Sequence, residues 1–225
     1  MNDIKIKVKA IIFDMDGTII KTDHVWEDVT TKILQKIGVF EIPAEKQAFY
    51  DSLTGMGLRD ASTALKREFN LLESVDEIIA QKIAIANSHF VNKVEYIEGF
   101  ELFHQKLQKN LIPTGIATNA HPINLHEIVK TMKFEQFFGT NIYSMADVNF
   151  KAKHDPALFL FTANMLGAKP EECVVFEDSI HGFNAAQAAG MKCIAVKNKK
   201  NELLLHKVNH AIDSYHEAED ALRKI

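Results

Sequence analysis

An α/β fold, a Rossmann-like parallel sheet core with an all-helical cap domain inserted into it, is predicted by three observations on the sequence. Short apolar runs alternate with helical patterns from about Gly99 onward. That alternation is suspended between about Lys21 and Asn92, where helical periods follow one another with no strand among them. A further run of strand character precedes the gap, so the helical stretch interrupts the sheet-forming chain after its first strand. Residues 1–20 and 93–225 are expected to form the core and residues 21–92 the cap.

The first strand is expected at residues 8–13, "VKAIIF", a run apolar but for Lys9 and of the kind buried on both faces, with Gly17 as the turn behind it. Helical periods follow in "VWEDVTTKILQKI", "AEKQAFYDSL", "LRDASTALKREF" and "VDEIIAQKIAIANSHFV". Two linkers, near residues 20–22 and 92–98, would join this module to the core as in a hinged lid. Helix "FELFHQKLQK" then leads to a strand at 111–117, helix "INLHEIVKTM" to a strand at 141–144, and helix "PALFLFTANML" to a strand at 173–176. Helix "SIHGFNAAQAAG", a strand at 191–196 and a last short strand at 210–212 complete the chain. Such a succession implies right-handed crossovers and a parallel sheet, with ligands outside the carboxyl ends of the strands.

The 225 residues are 47% hydrophobic and 25% charged, the balance of an ordinary globular chain. A formal charge of -4 argues against broad nucleic-acid or anionic-membrane binding, and "KNKK" at 197–200 reads as a solvated loop. The start "MNDIKIKVKA" lacks the apolar core of a signal peptide and no run of about 18 apolar residues occurs, so a cytoplasmic protein is expected. No long apolar stripe stands out, which favours a monomer. Cys173 and Cys193 sit in "CVVF" and "CIAV" and read as buried reduced thiols.

Four stretches could carry chemistry. In "DMDGT", Asp14 and Asp16 lie just beyond a strand end; they could supply a nucleophile and a proton donor and hold a hard cation, or simply form a polar turn. In "IATNA", Thr118 and Asn119 could hold a phosphate oxygen or cap the next helix. Lys153 in "KAKHDPALF" could neutralise negative charge or be a surface lysine. In "CVVFEDSIHGFNAAQAAGM", a buried strand ends on Glu177 and Asp178; Ser179 or Asp178 could be an N-cap, and Gly182 with the alanines could serve close helix packing. Two acidic strand ends of one parallel sheet converge at the same edge, and carboxylates so gathered call for a divalent cation, implying magnesium.

Together these stretches resemble the haloacid dehalogenase superfamily, in its helical-cap phosphatase branch near beta-phosphoglucomutase and the sugar phosphate phosphatases. The resemblance spans nearly the whole chain and rests on DxDGT, Thr118, Lys153 and "FEDSxxGxxAAxAAGM" in order. It implies that Asp14 is the nucleophile forming an aspartyl phosphate and that Asp16 protonates the leaving alcohol and later activates water. It implies phosphate binding by Thr118, Asn119 and Lys153. It also implies a magnesium ion held by Asp14, the backbone carbonyl of Asp16, and Asp178, with Glu177 as a further ligand or as support for one. The expected substrate is a small phosphate ester, and a phosphomutase is the alternative reading.

The chain departs from the family at several points. Ala152-Lys153-His154 replaces Gly-Lys-Pro, Lys21 stands where an acidic residue is common, and Trp26 and Leu58 align with a histidine and an arginine of the mutase. The cap loop "TGMGLRD" instead is similar to a "GLR" stretch of hexose and hexitol phosphate phosphatases, which makes Arg59 a candidate substrate contact. Trp26 is expected either to stack on a sugar or to anchor the first cap helix.

Overall fold

The segment Ala10–Phe13 (β1) is apolar at all four positions because both of its faces are covered and parallel strands flank it on each side. The computed structural model describes residues 8–90, 94–151 and 155–225. After β1 come four helices without an intervening strand: α1 (Asp23–Gln35), α2 (Gln47–Ser52), α3 (Leu58–Phe69) and α4 (Val75–Phe90). The alternating part runs α5 (Phe100–Lys109), β2 (Thr114–Thr118), α6 (Pro122–Thr131), the single turn α7 (Glu135–Phe138) and β3 (Ile142–Ser144). It continues through α8 (Ala157–Met165), β4 (Cys173–Glu177), α9 (Ile180–Ala188), β5 (Lys192–Val196), β6 (His210–Ile212) and α10 (Ala218–Arg223).

The fold class is the expected one, a six-stranded parallel sheet interrupted by an all-helical cap. Strand β2 begins later than expected because Leu111 adopts a left-handed conformation, φ 54°, as the chain leaves α5. Helices α7 and α10 were not expected, being too short to carry a periodic signal.

The strand order β3-β2-β1-β4-β5-β6 places β1 at the centre, with the chain leaving it towards opposite edges. A crevice therefore opens beyond the carboxyl ends of β1, β2 and β4, where such sheets bind ligands. Alternate residues of β1 face opposite ways, so Ile11 and Phe13 join one apolar layer and Ala10 and Ile12 the other. The first layer includes Phe100, Phe103, Ile128 and Leu222; the second includes Leu158, Phe159, Phe183 and Ala186. Phe13 stacks on Phe176 at 5.2 Å between ring centres, and Phe100, Phe138, His104 and Tyr215 surround it.

His104 is fully buried in this aromatic packing. Its Nε2 lies 2.9 Å from Thr114 Oγ1, its Nδ1 has no partner among the described residues, and burial pushes its pKa down to about 4. Cys173 and Cys193 are both buried.

Apolar residues of α1, α3 and α4, among them Val25, Leu34, Leu65, Ile78 and Phe90, belong to the same layer as Phe13. The two segments joining helices to sheet lie side by side. Ile97 N donates to Ile19 O at 2.8 Å, Lys21 N donates to Glu95 O at 2.9 Å, and Ile20 pairs antiparallel with Tyr96. The second expected boundary, between 92 and 93, lies outside the described residues. Among the described residues no helix is long and apolar enough to cross a membrane.

Candidate active site

Strand β1 hands directly to Asp14, whose N–H continues the ladder by donating to Phe176 O at 2.9 Å. The chain then folds back on itself: Met15 O accepts from Ile19 N at 2.9 Å and from Ile20 N at 3.2 Å, and Gly17 N donates to Ile20 O at 2.8 Å. Met15 points into the core and is fully buried, as alternation along an extended chain requires. Gly17 has φ +74°, and a Cβ there would lie 2.2 Å from Asp178 Oδ2. Glycine is thus needed for the loop after β1 to meet the loop after β4.

At the end of β4, Glu177 Oε1 accepts from Asp178 N, Ser179 N and Ser179 Oγ at 3.1, 3.0 and 2.9 Å. Ser179 caps α9, its Oγ accepting from Gly182 N at 3.1 Å. A Cβ on Gly182 would stand 1.9 Å from Glu177 Oε2. The close helix packing offered for this glycine is therefore made against the Glu177 side chain at the end of β4.

Asp14, Glu177 and Asp178 are all buried, and one carboxylate oxygen from each lies within 4.8 Å of the others. Oxygen donors so arranged suit a hard divalent cation, and Glu177, gripped by its own loop, orients Asp178. The carbonyl of Asp178 accepts from Asn201 Nδ2 at 2.8 Å, and Asp178 Oδ2 accepts from Asn198 Nδ2 at 3.0 Å. Beneath the cluster, Tyr215 Oη donates to Thr18 O at 3.0 Å. Burial, then the charges of Asp14, Asp178 and Glu177, hold this phenol neutral by raising its pKa well above the ordinary value.

Asp16 lines the same cavity and its Oδ1 accepts from Trp26 Nε1 at 3.2 Å. Neither role expected for Trp26 describes this contact. Its ring does anchor α1, packing edge-on against Phe90, but its N–H is aimed at the second aspartate. Thr118 is buried at the end of β2, with Oγ1 accepting from Ala120 N at 3.0 Å. Asn119 Nδ2 donates to Gly55 O of the cap at 2.9 Å, and a Cβ on Gly55 would meet Ser179 at 2.4 Å, so the cap loop lies directly on the core.

One other expected residue, among those described, is not brought to this cluster. Arg59 sits on the outer side of α3 with its guanidinium 2.6 Å from Asp76, and does not line the cavity; Leu58 beside it does. Lys153 lies outside the described residues.

The cavity between cap and sheet measures about 130 Å³ and includes residues the sequence did not single out. Lys200, in the stretch read as a solvated loop, bridges to Asp23 and Glu27 of α1 at 3.2 Å each. Burial pulls its pKa down, but the two carboxylates outweigh that and leave it raised. Lys82, on α4, is 3% exposed, and burial lowers its pKa to about 8. The pair Asn198 and Asn201, three apart just beyond β5, was the one available signal for the asparagine support of Asp178.

Acidic residues gathered at the switch point of a parallel sheet, under an inserted helical cap, define a capped α/β enzyme with an acidic centre. The family model for haloacid dehalogenase-like hydrolases matches residues 11–196, and the chain belongs to that family. It is 30% identical to YhcW of Bacillus subtilis (strain 168), a protein named as a phosphatase, over 96% of both chains. It is 28% identical to a bifunctional riboflavin kinase/FMN phosphatase of Arabidopsis thaliana, over 91% of this chain but only 52% of that longer protein. A crystal structure of a family IA, variant 3 hydrolase from Entamoeba histolytica superposes with a TM-score of 0.81 at 21% identity, covering 96% of this chain and 99% of the other.

Proposed function

We propose that the protein is a magnesium-dependent phosphatase acting on small phosphorylated metabolites, sugar phosphates foremost, through an aspartyl phosphate on Asp14. The observation that carries this reading is the meeting of Asp14, Glu177 and Asp178 within 4.8 Å at the sheet's switch point, with Asp16 two residues along the same loop. The phosphatase names among its relatives support it.

In the proposed reaction an Asp14 carboxylate oxygen attacks phosphorus, the phosphorus–ester oxygen bond breaks, and Asp16 gives its proton to the departing alkoxide. Asp16 then takes a proton from water as that water attacks the same phosphorus, which releases inorganic phosphate and restores Asp14. Trp26 holds Asp16 in place through its N–H. Asp14 and Asp178 would hold the cation, which supplies charge neutralisation for a dianionic substrate facing a carboxylate. Thr118, Asn119 and Lys153 would hold the phosphate oxygens. Residues 21–92 would act as a cap that excludes water, moving about the paired segments at Ile20 and Tyr96. The same reading makes the protein a cytoplasmic monomer with no nucleic-acid or membrane partner.

Phosphate release from a panel of phosphate esters, with and without magnesium, tests the proposal. Release abolished by chelation supports it, and no release from any ester overturns it. Glucose 1-phosphate supplied with a bisphosphate primer separates hydrolysis from phosphomutation. Leu58 and Trp26, standing where the mutase has arginine and histidine, count for hydrolysis.

A further inference from the structure

The ionic side chains lining the cavity are distributed unevenly. Asp14, Asp16, Glu177 and Asp178 gather at the sheet, and Lys200 is neutralised by Asp23 and Glu27. Lys82 is different: it projects from the middle of α4, is 97% buried by the 3% exposure above, and makes no hydrogen bond or ion pair among the described residues. Burial is what lowers its pKa. At pH 7 it is still mostly protonated. A buried cation without a counter-charge opposes folding, and an anion entering the cavity that it lines would supply that counter-charge.

We propose that Lys82 recognises a second negatively charged group on the substrate, so that the preferred substrates are phosphate esters that also carry a carboxylate or a second phosphate. The inference rests on the phosphatase reading for its substrate frame: the scissile phosphate lies at the acidic cluster and the second anion meets the ammonium of α4. Lys82 is a specificity-determining residue here and takes no part in the bond-making steps.

Matched pairs of esters test it. Glycerol 3-phosphate differs from 3-phosphoglycerate in lacking the carboxylate, and fructose 6-phosphate differs from fructose 1,6-bisphosphate in lacking the second phosphate; the two pairs tell a carboxylate site from a phosphate site. The wild type is expected to favour the charged member of at least one pair by about tenfold or more in kcat/KM. Lys82→Met should reduce that preference to near unity while changing hydrolysis of the member that lacks the second anionic group by less than about threefold. Absence of the preference in the wild type, its survival in Lys82→Met, or equal loss on both members overturns the proposal.

Thermal stabilisation by the same compounds separates this inference from the phosphatase reading. If no ester is hydrolysed, a larger upward shift of Tm by the charged member in the wild type and equal shifts in Lys82→Met still support recognition by Lys82, and equal shifts in both proteins overturn it. Lys82→Gln, which keeps a polar head, serves as the second variant, and agreement between the two excludes a packing effect.

Discussion

At the sheet side of the cavity, the Glu177–Asp178 pair is held by backbone amides, two asparagines and contact with two glycines, whereas on the cap side Lys82 makes no hydrogen bond or ion pair among the described residues. The first arrangement is rigid and locally determined, because every group that orients Asp178 comes from a strand end or the loop beyond it. The second depends on how α4 lies over the sheet, through contacts such as Asn124 Nδ2 to Asn87 Oδ1 at 2.6 Å. A family can keep the first while changing the second, which is how one chemistry comes to serve different substrates.

The largest effect expected on the sheet side is from Asp14→Asn, which should lower kcat for phosphate release by about 10³-fold or more on every ester, with or without a second anionic group. A loss confined to one substrate class would move Asp14 out of the common chemistry and erase the contrast between the two sides.

On the cap side the leading effect is on stability. Below pH 8 both the folded and the unfolded chain carry the Lys82 proton, and folding bears the whole cost of burying it. Between pH 8 and 10.5 the folded state releases the proton first, so stability rises with pH across that window. Lys82→Met should therefore be more stable than the wild type by up to about 3 kcal/mol at pH 7 and should lack that rise, as read by denaturant unfolding. A variant less stable than the wild type would show the lysine to be structural.

His104, under the sheet, supplies a reference of similar size in the opposite pH range. Its folded pKa near 4 lies below the ordinary 6.5, so the unfolded chain gains the proton first and stability is lost as pH falls from 6.5 towards 4, by up to about 3 kcal/mol. Replacement by leucine should remove that slope, which the same unfolding experiment checks; a slope left unchanged would place the acid sensitivity elsewhere.

The smallest of these effects falls where the two sides touch. Trp26→Phe keeps the ring against Phe90 and removes the N–H from Asp16, and is expected to lower kcat about tenfold with KM little changed. A change in KM alone would make Trp26 a substrate contact instead.

The same contrast explains how much was legible in the sequence. Asp14, Asp16, Glu177 and Asp178 could be found because a parallel sheet brings its strand ends together, so position along the chain maps onto position in space. The strand and helix order was legible for the same reason, through unbroken apolar runs such as "AIIF". Lys82 and Lys200 could not be found that way. On α4, Ile78, Lys82 and Ala86 are all buried, so the lysine occupies a position that a pattern reading gives to the core. Lys200 was read as solvated because the carboxylates that hold it lie 177 and 173 residues earlier in the chain. Arg59 was singled out through its loop, but the α3 surface it occupies faces Asp76.

Gly17 and Gly182 have a consequence that reaches beyond this chain. Each leaves a vacancy the size of one methyl group, and each vacancy is filled by a different carboxylate of the same acidic pair. The geometry of the centre is therefore written partly in missing atoms. An alanine at either place would act as a wedge, prying one carboxylate from its seat without touching any group that reacts. In reading other capped α/β chains, the two glycines facing an acidic strand end are as diagnostic as the acids themselves, and a chain that keeps the aspartates but gains a side chain at those positions should be suspected of having lost the centre.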